Sequence, residues 1–227
     1  MGIEISDRNE LRRFIGPPLK YSFTNFYGFN EEQCEEGTRK YREYYSKTGL
    51  FENVPYPGIE ELLIKVKESG RKIVLATSKP EVFAVQILEE FGLAKYFDII
   101  AGSSLTEKRG NKNEVIEYAL GKLGNPDLSN VVLVGDTRFD AEGAKMVGID
   151  CIGVLYGFGS REELENEGVN MIAPTVEDIF EDYDLKKQVV KFLNKIKNWL
   201  DISSQLLLFE FFVVFFYFPL FFRTKAT

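Results

Sequence analysis

From residue 59 onward the apolar positions switch repeatedly between helical and strand-like spacing. Residues 59–69 carry apolar side chains at helical spacing up to Gly70, and Lys72-Ile73-Val74-Leu75-Ala76 follows as a continuous strand-like run. Helical spacing returns over residues 80–91 and stops at Gly92. The pattern then predicts a strand at 97–101, a helix at 113–123, a strand at 130–134, a helix at 141–147 with Gly148 as C-cap, and a strand at 151–154. Alternation of this kind implies a parallel sheet with helices on both faces.

The flanking regions differ. Residues 8–52 carry helical spacing throughout, with Leu11, Phe14 and Ile15, then Tyr41, Tyr44 and Tyr45, set among charges. Gly16-Pro17-Pro18 ends the first helix, because proline restricts its own φ and the residue before it. Pro55-Tyr56-Pro57-Gly58 is a turn and marks a boundary. The expected organisation is therefore a helical module over residues 1–54, an α/β core over 55–182, and a C-terminal region over 183–227. That last region begins with an amphipathic helix at 185–200, striped by Val189, Val190, Leu193, Ile196 and Leu200. Residues 206–222 are then almost wholly apolar, interrupted by Glu210 and Pro219. Seventeen residues fall short of the roughly 20 needed to cross a membrane, so the run is expected to be aggregation-prone rather than an anchor.

Charge and composition narrow the classes. A net charge of −7, with no basic run to offset it, argues against nucleic-acid binding. The absence of histidine excludes a Ser-His-Asp triad and any histidine base or ligand. Cys34 and Cys151 show no metal-ligand spacing and read as unpaired thiols, which suits the cytoplasm.

Three strand ends carry candidate chemistry. Thr77-Ser78-Lys79-Pro80 follows the strand ending at Ala76, where a hydroxyl and free N–H groups ahead of a helix suit an anion. Lys112 opens the next helix but one, and its ammonium can neutralise a phosphate or a carboxylate. After the strand Val131-Val132-Leu133-Val134, Gly135 turns the chain and Asp136 and Asp140 follow. Paired carboxylates at a strand end suit a hard cation such as Mg²⁺, which suits phosphate. Each group alone has a structural reading: Thr77-Ser78 and Asp140 as helix caps, Lys112 as a solvated lysine, Asp136 as a turn residue. Their common location at carboxyl strand ends favours a site.

In this order the residues resemble the haloacid dehalogenase superfamily of phosphohydrolases, closest to its phosphoglycolate-phosphatase-like and 5′-nucleotidase-like branch. Thr77 matches the second motif, which hydrogen-bonds the phosphoryl group, and Lys112 matches the third, which steadies nucleophile and phosphate. Gly135-Asp136-Thr137-Arg138-Phe139-Asp140 matches the fourth, whose acids hold Mg²⁺. Gly143-Ala144-Lys145, Gly148-Ile149 and the run from Gly153 to Ser160 also look like that branch. Gly16-Pro17-Pro18 and Pro55-Tyr56-Pro57-Gly58 look like the flanks of its inserted helical cap. The resemblance implies a Rossmann-like three-layer α/β/α core with an α-helical cap. It also implies catalytic roles for Thr77 and Lys112, phosphate binding by Thr77, Ser78, Lys79 and Lys112, metal binding by Asp136 and Asp140, and a small phosphorylated metabolite as partner. Tyr41, Arg42 and Tyr45 would face substrate or pack the cap.

One motif of the family is missing. Its first strand ends in Asp-x-Asp-Gly-Thr and brings the nucleophile and the general acid/base. The only Asp-x-Asp here, Asp182-Tyr183-Asp184, follows no strand and precedes no Gly-Thr. The chain is thus expected to lack a first segment of about 30 residues, judged from the usual size of a βα unit, and to be inactive as given. Alternative readings are a non-catalytic phosphate or Mg²⁺ module and a membrane-tethered relative. The loss should also leave two strands with facing, unpaired edges unless another segment closes the gap; the 206–222 run, whose Phe and Val content favours β structure, is expected either to stay exposed or to enter that gap.

Overall fold

A computed structural model describes residues 3–5, 7–14, 17–105, 109–180, 213–216 and 222–224. The strands are β1 (Asn53–Pro55), β2 (Lys72–Pro80), β3 (Ile99–Ser103), β4 (Val131–Gly135), β5 (Asp150–Val154), β6 (Met171–Ala173), β7 (Val213–Phe216) and β8 (Phe222–Thr224). The helices are α1 (Leu19–Tyr27), α2 (Glu31–Tyr45), α3 (Ile59–Glu68), α4 (Glu81–Glu90), α5 (Lys112–Lys122), α6 (Arg138–Val147) and α7 (Arg161–Asn166). Six strands form one parallel sheet in the order β3-β2-β7-β4-β5-β6.

The period-two alternation of the strands sorts side chains onto two cores. Ile73, Leu75, Val132 and Val134 pack with Leu62, Leu63, Val66, Ile87 and Leu88 of α3 and α4 on one face. Val74, Ala76, Val131 and Leu133 pack with Val115, Ile116, Ala119 and Ala144 of α5 and α6 on the other. This is the three-layer α/β/α core that the alternating pattern predicts. Outside it, α1 and α2 pack against each other, and a capping box at Asn30 and Gln33 starts α2.

The centre of the sheet is where the expected gap is filled. β7 lies between β2 and β4, parallel to both, pairing Ile73 and Val132 with Val214, and Leu75 and Val134 with Phe216. The anticipated gap is closed by the apolar tail. Val214 is 5% exposed and joins the α3/α4 core. A run of Val and Phe suits this position because a strand covered on both faces needs apolar side chains in both directions. β8 pairs antiparallel with β1 at the boundary before the core. Of the two outcomes open for the apolar tail, residues 213–216 take the sheet position.

Smaller corrections have local causes. β2 runs on through Thr77, Ser78 and Lys79 to Pro80, with a register shift between Thr77 and Pro80, so these residues form an irregular strand end rather than a loop. β3 starts at Ile99 because the Asp98 carboxylate accepts from Ile73 N at 2.9 Å and holds the turn before it. α6 starts at Arg138, since Thr137 and Asp140 make its capping box. Residues Arg8–Phe14 form a 3₁₀ helix. The unanticipated α7 is capped by Ser160 and Glu163. Cys34 and Cys151 are buried and unbridged. Among the described residues, no helix is long and apolar enough to cross a membrane. The helix expected over 185–200 and Asp182-Tyr183-Asp184 lie outside the described residues.

Candidate active site

Because β2 and β4 flank β7 in register, their carboxyl ends reach the same end of the sheet. Thr77 lies two residues past the Leu75 level and Asp136 two past the Val134 level. Lys112, at the first turn of α5, bridges the two ends: its ammonium is 2.8 Å from Asp140 Oδ1 and donates to the Ala76 carbonyl at 3.5 Å. Thr77, Lys112, Asp136 and Asp140 are all buried. A lysine expected to be solvated on sequence statistics is thus an interior cation held between two strand ends.

The two aspartates do different things. Asp140 Oδ2 accepts from Asp136 N at 3.2 Å, and from Thr137 N and Thr137 Oγ1 at 3.0 Å each. With Lys112 on its other oxygen, Asp140 both caps α6 and neutralises the lysine. Gly135 makes this possible, since a Cβ there would strike the Asp140 side chain. Asp136 is clasped instead by the loop after β5. Its Oδ2 accepts from Phe158 N at 2.9 Å, and its carbonyl accepts from Gly159 N at 3.0 Å. A Cβ at Gly157 would occupy the space of the Asp136 carboxylate. Asp136 Oδ1 remains buried without a hydrogen-bond partner.

That orphaned oxygen is the structural mark of a cation position, because an unpaired buried carboxylate oxygen is costly. Burial, and then the charge of Asp140, push the Asp136 carboxyl up to about 7. Burial likewise lowers Lys112 against the opposing pull of Asp140. The orphaned oxygen of Asp136 suits a hard cation, whereas Asp140 Oδ1, also without a hydrogen bond, is already ion-paired with Lys112. Among the described residues no cluster of three or more acidic, Cys or His groups forms a metal site.

The remaining predicted residues lie beside this centre. Thr77 Oγ1 accepts from Lys79 N at 3.1 Å. Ser78 is half-buried between them. The Lys79 ammonium donates to Tyr45 OH and lies 4.4 Å from the Tyr45 ring centroid, and burial lowers it to about 8. Tyr45 is thereby brought from the cap onto the end of β2. Arg42 lies elsewhere, lining a cavity of ≈ 410 Å³ in the cap with Lys20, Thr38, Arg39 and Leu105. The clasp by Phe158 and Gly159 had a sequence signal in Gly157-Phe158-Gly159, but no side-chain chemistry to announce it. Tyr156 is a further omission: its phenol oxygen is buried without a partner and its ring meets Tyr56 edge-on at 5.1 Å.

A parallel α/β core whose strand ends gather Thr, Lys and Asp beneath a helical cap defines a class. The family profile described as "Haloacid dehalogenase-like hydrolase" matches residues 1–154. The chain belongs to that family.

Its relatives include a 5′-nucleotidase of Pseudomonas aeruginosa, 42% identical over 72% of this chain and 74% of that protein. A phosphoglycolate phosphatase of Vibrio parahaemolyticus is 29% identical over 74% of this chain and 73% of its own. A Mycobacterium tuberculosis relative, 32% identical over 80% of this chain and 62% of its own length, is named tyrosine-protein kinase PtkA. The crystal structure of a predicted phosphatase from Clostridium acetobutylicum superposes with a TM-score of 0.75 at 44% identity, covering 83% of this chain and 84% of that one. By resemblance, then, this is a phosphoric monoester hydrolase.

Proposed function

We propose that the chain binds the phosphoryl group of a small phosphorylated metabolite together with Mg²⁺, and that in the form given it does not turn that metabolite over. One observation carries this reading. The central strand position between β2 and β4 is held by Val213–Phe216, and the sequence beyond it, Tyr217-Phe218-Pro219-Leu220, offers no carboxylate. In the family reaction an aspartate at the end of the first strand attacks phosphorus and a second protonates the leaving oxygen.

The roles follow from the geometry. The Thr77 hydroxyl and the strand-end amides hydrogen-bond phosphoryl oxygens, and Lys112 balances their charge while fixing Asp140. Asp136 would hold the metal, with Asp140 supporting it by fixing the loop. Bound Mg²⁺ would stabilise negative charge on the phosphoryl oxygens. Loss of groups that act as a unit costs roughly 10⁴-fold or more in rate. The same observation supports a non-catalytic phosphate and Mg²⁺ module as the second reading. Two unpaired buried thiols suit the cytoplasm, and the acidic charge argues against a nucleic-acid partner.

The test is turnover of p-nitrophenyl phosphate, phosphoglycolate and nucleoside monophosphates with Mg²⁺. The 227-residue chain is expected to show none. A variant ending at residue 200, with an apolar strand and Asp-x-Asp-Gly-Thr placed before Met1, should gain Mg²⁺-dependent turnover that Asp136→Asn removes. Robust Mg²⁺-dependent hydrolysis by the unaltered chain would overturn the reading.

A further inference from the structure

We propose that Tyr41 and Tyr45 form a stacking platform for a nucleobase, so that the site takes a nucleoside monophosphate rather than phosphoglycolate. The inference rests on the phosphate-binding reading of Thr77 and adds what holds the rest of the substrate.

The two rings stand one helical turn apart on α2 and lie nearly parallel, 5.2 Å between centroids at 12°. Tyr45 is fixed on its core side by an edge-on contact with Phe83 of α4, 5.7 Å between centroids, and by the Lys79 ammonium. Lys79 N in turn donates to Thr77 Oγ1. A continuous path therefore runs from the phosphate-binding hydroxyl through Lys79 to the inner ring and on to the outer one. Tyr41 is 42% exposed, and Tyr45 is its only ring partner among the described residues.

An aromatic pair anchored at one end and open at the other is suited to a planar π-system. Every base has such a face, and phosphoglycolate has none. Base stacking on an aromatic side chain strengthens binding about tenfold or more.

Isothermal titration calorimetry of the 227-residue chain with Mg²⁺ separates the cases, using inorganic phosphate, ribose 5-phosphate and adenosine monophosphate. Adenosine monophosphate is expected to bind about tenfold or more tightly than ribose 5-phosphate. Tyr41→Ala should abolish that difference without changing ribose 5-phosphate binding, and Tyr41→Phe should preserve it. Equal affinity of the unaltered chain for the two organic phosphates overturns the platform and leaves the phosphate site standing, with no variant required. Failure of all three compounds to bind overturns the phosphate-binding reading and the platform with it.

Discussion

β4 and β7 are neighbours in one sheet and run in the same direction, with Val132, Val134 and Val214 in one shared core, yet the residues that follow them are chemically opposite. β4 leads into Gly135-Asp136-Thr137, whose amides, hydroxyl and carboxylates organise Lys112 and an uncommitted oxygen. β7 leads into Tyr217-Phe218-Pro219. Filling a strand position demands only apolar residues of β propensity in the right register, which many sequences satisfy. Chemistry at the end of that strand demands particular atoms at particular places. Completing a sheet and supplying catalytic groups are therefore separate demands on a sequence, and in the proposed reading β7 meets only the first.

The comparison breaks most severely if β7 is removed. A chain ending at residue 200 loses hydrogen bonds to both β2 and β4. Buried unpaired amides cost about 1–3 kcal/mol each, so a few match the whole stability of a domain, about 5–15 kcal/mol. The truncated chain is expected to lose its cooperative urea transition, followed by circular dichroism. An unchanged midpoint would mean that β7 contributes nothing to the core.

At the tip of β4 the decisive group is a charge. Lys112→Met leaves Asp140 and Asp136 buried without their cation, for which the expected cost is about 3–5 kcal/mol, towards the lower end because Asp140 keeps its three donors. Lys122→Met, at a half-exposed ion pair with Glu81, is the matching control and should cost under about 1 kcal/mol. Similar losses for the two variants would show that Lys112 is not an interior counter-charge.

The smallest effect sharpens the electrostatics of that tip. In the metal-free protein the Asp136 carboxyl is raised from 3.8 to about 7, chiefly by burial. Between these values the folded chain holds a proton that the unfolded chain has released, so stability falls as pH rises through this range and levels off above it. The slope is at most about 1.4 kcal/mol per pH unit from this group. Asp136→Asn should flatten the decline relative to the parent between pH 4 and 7, while a substitution in β7 such as Val214→Ala should shift the whole curve without altering its slope. Parallel curves for Asp136→Asn and the parent would remove Asp136 as the titrating group.

Much of the core was legible because its elements are long and periodic. The continuous apolar runs Ile73 to Ala76 and Val131 to Val134 announced strands covered on both faces, and their side chains divide between two cores. Thr77, Lys112, Asp136 and Asp140 were recognisable by position after strands. The unequal employment of the two aspartates was not, because it depends on which oxygen meets which amide across the Gly135 turn. The Phe158 and Gly159 clasp was hidden for a similar reason, since backbone donors leave no residue-type signal. β6 is three residues long, too short to show a period.

The sequence by itself determined the alternating elements, the parallel sheet covered on both faces and the family, because each follows from residue type and local spacing. It also marked residues 206–222 as strongly β-prone. Only the tertiary structure decided where that propensity is used: in register between β2 and β4, with Val214 beneath the α3/α4 core. The reason is physical. A strand acquires its partners only when unsatisfied backbone donors and acceptors elsewhere in the chain come within hydrogen-bonding reach, and no local pattern encodes which distant edges those will be.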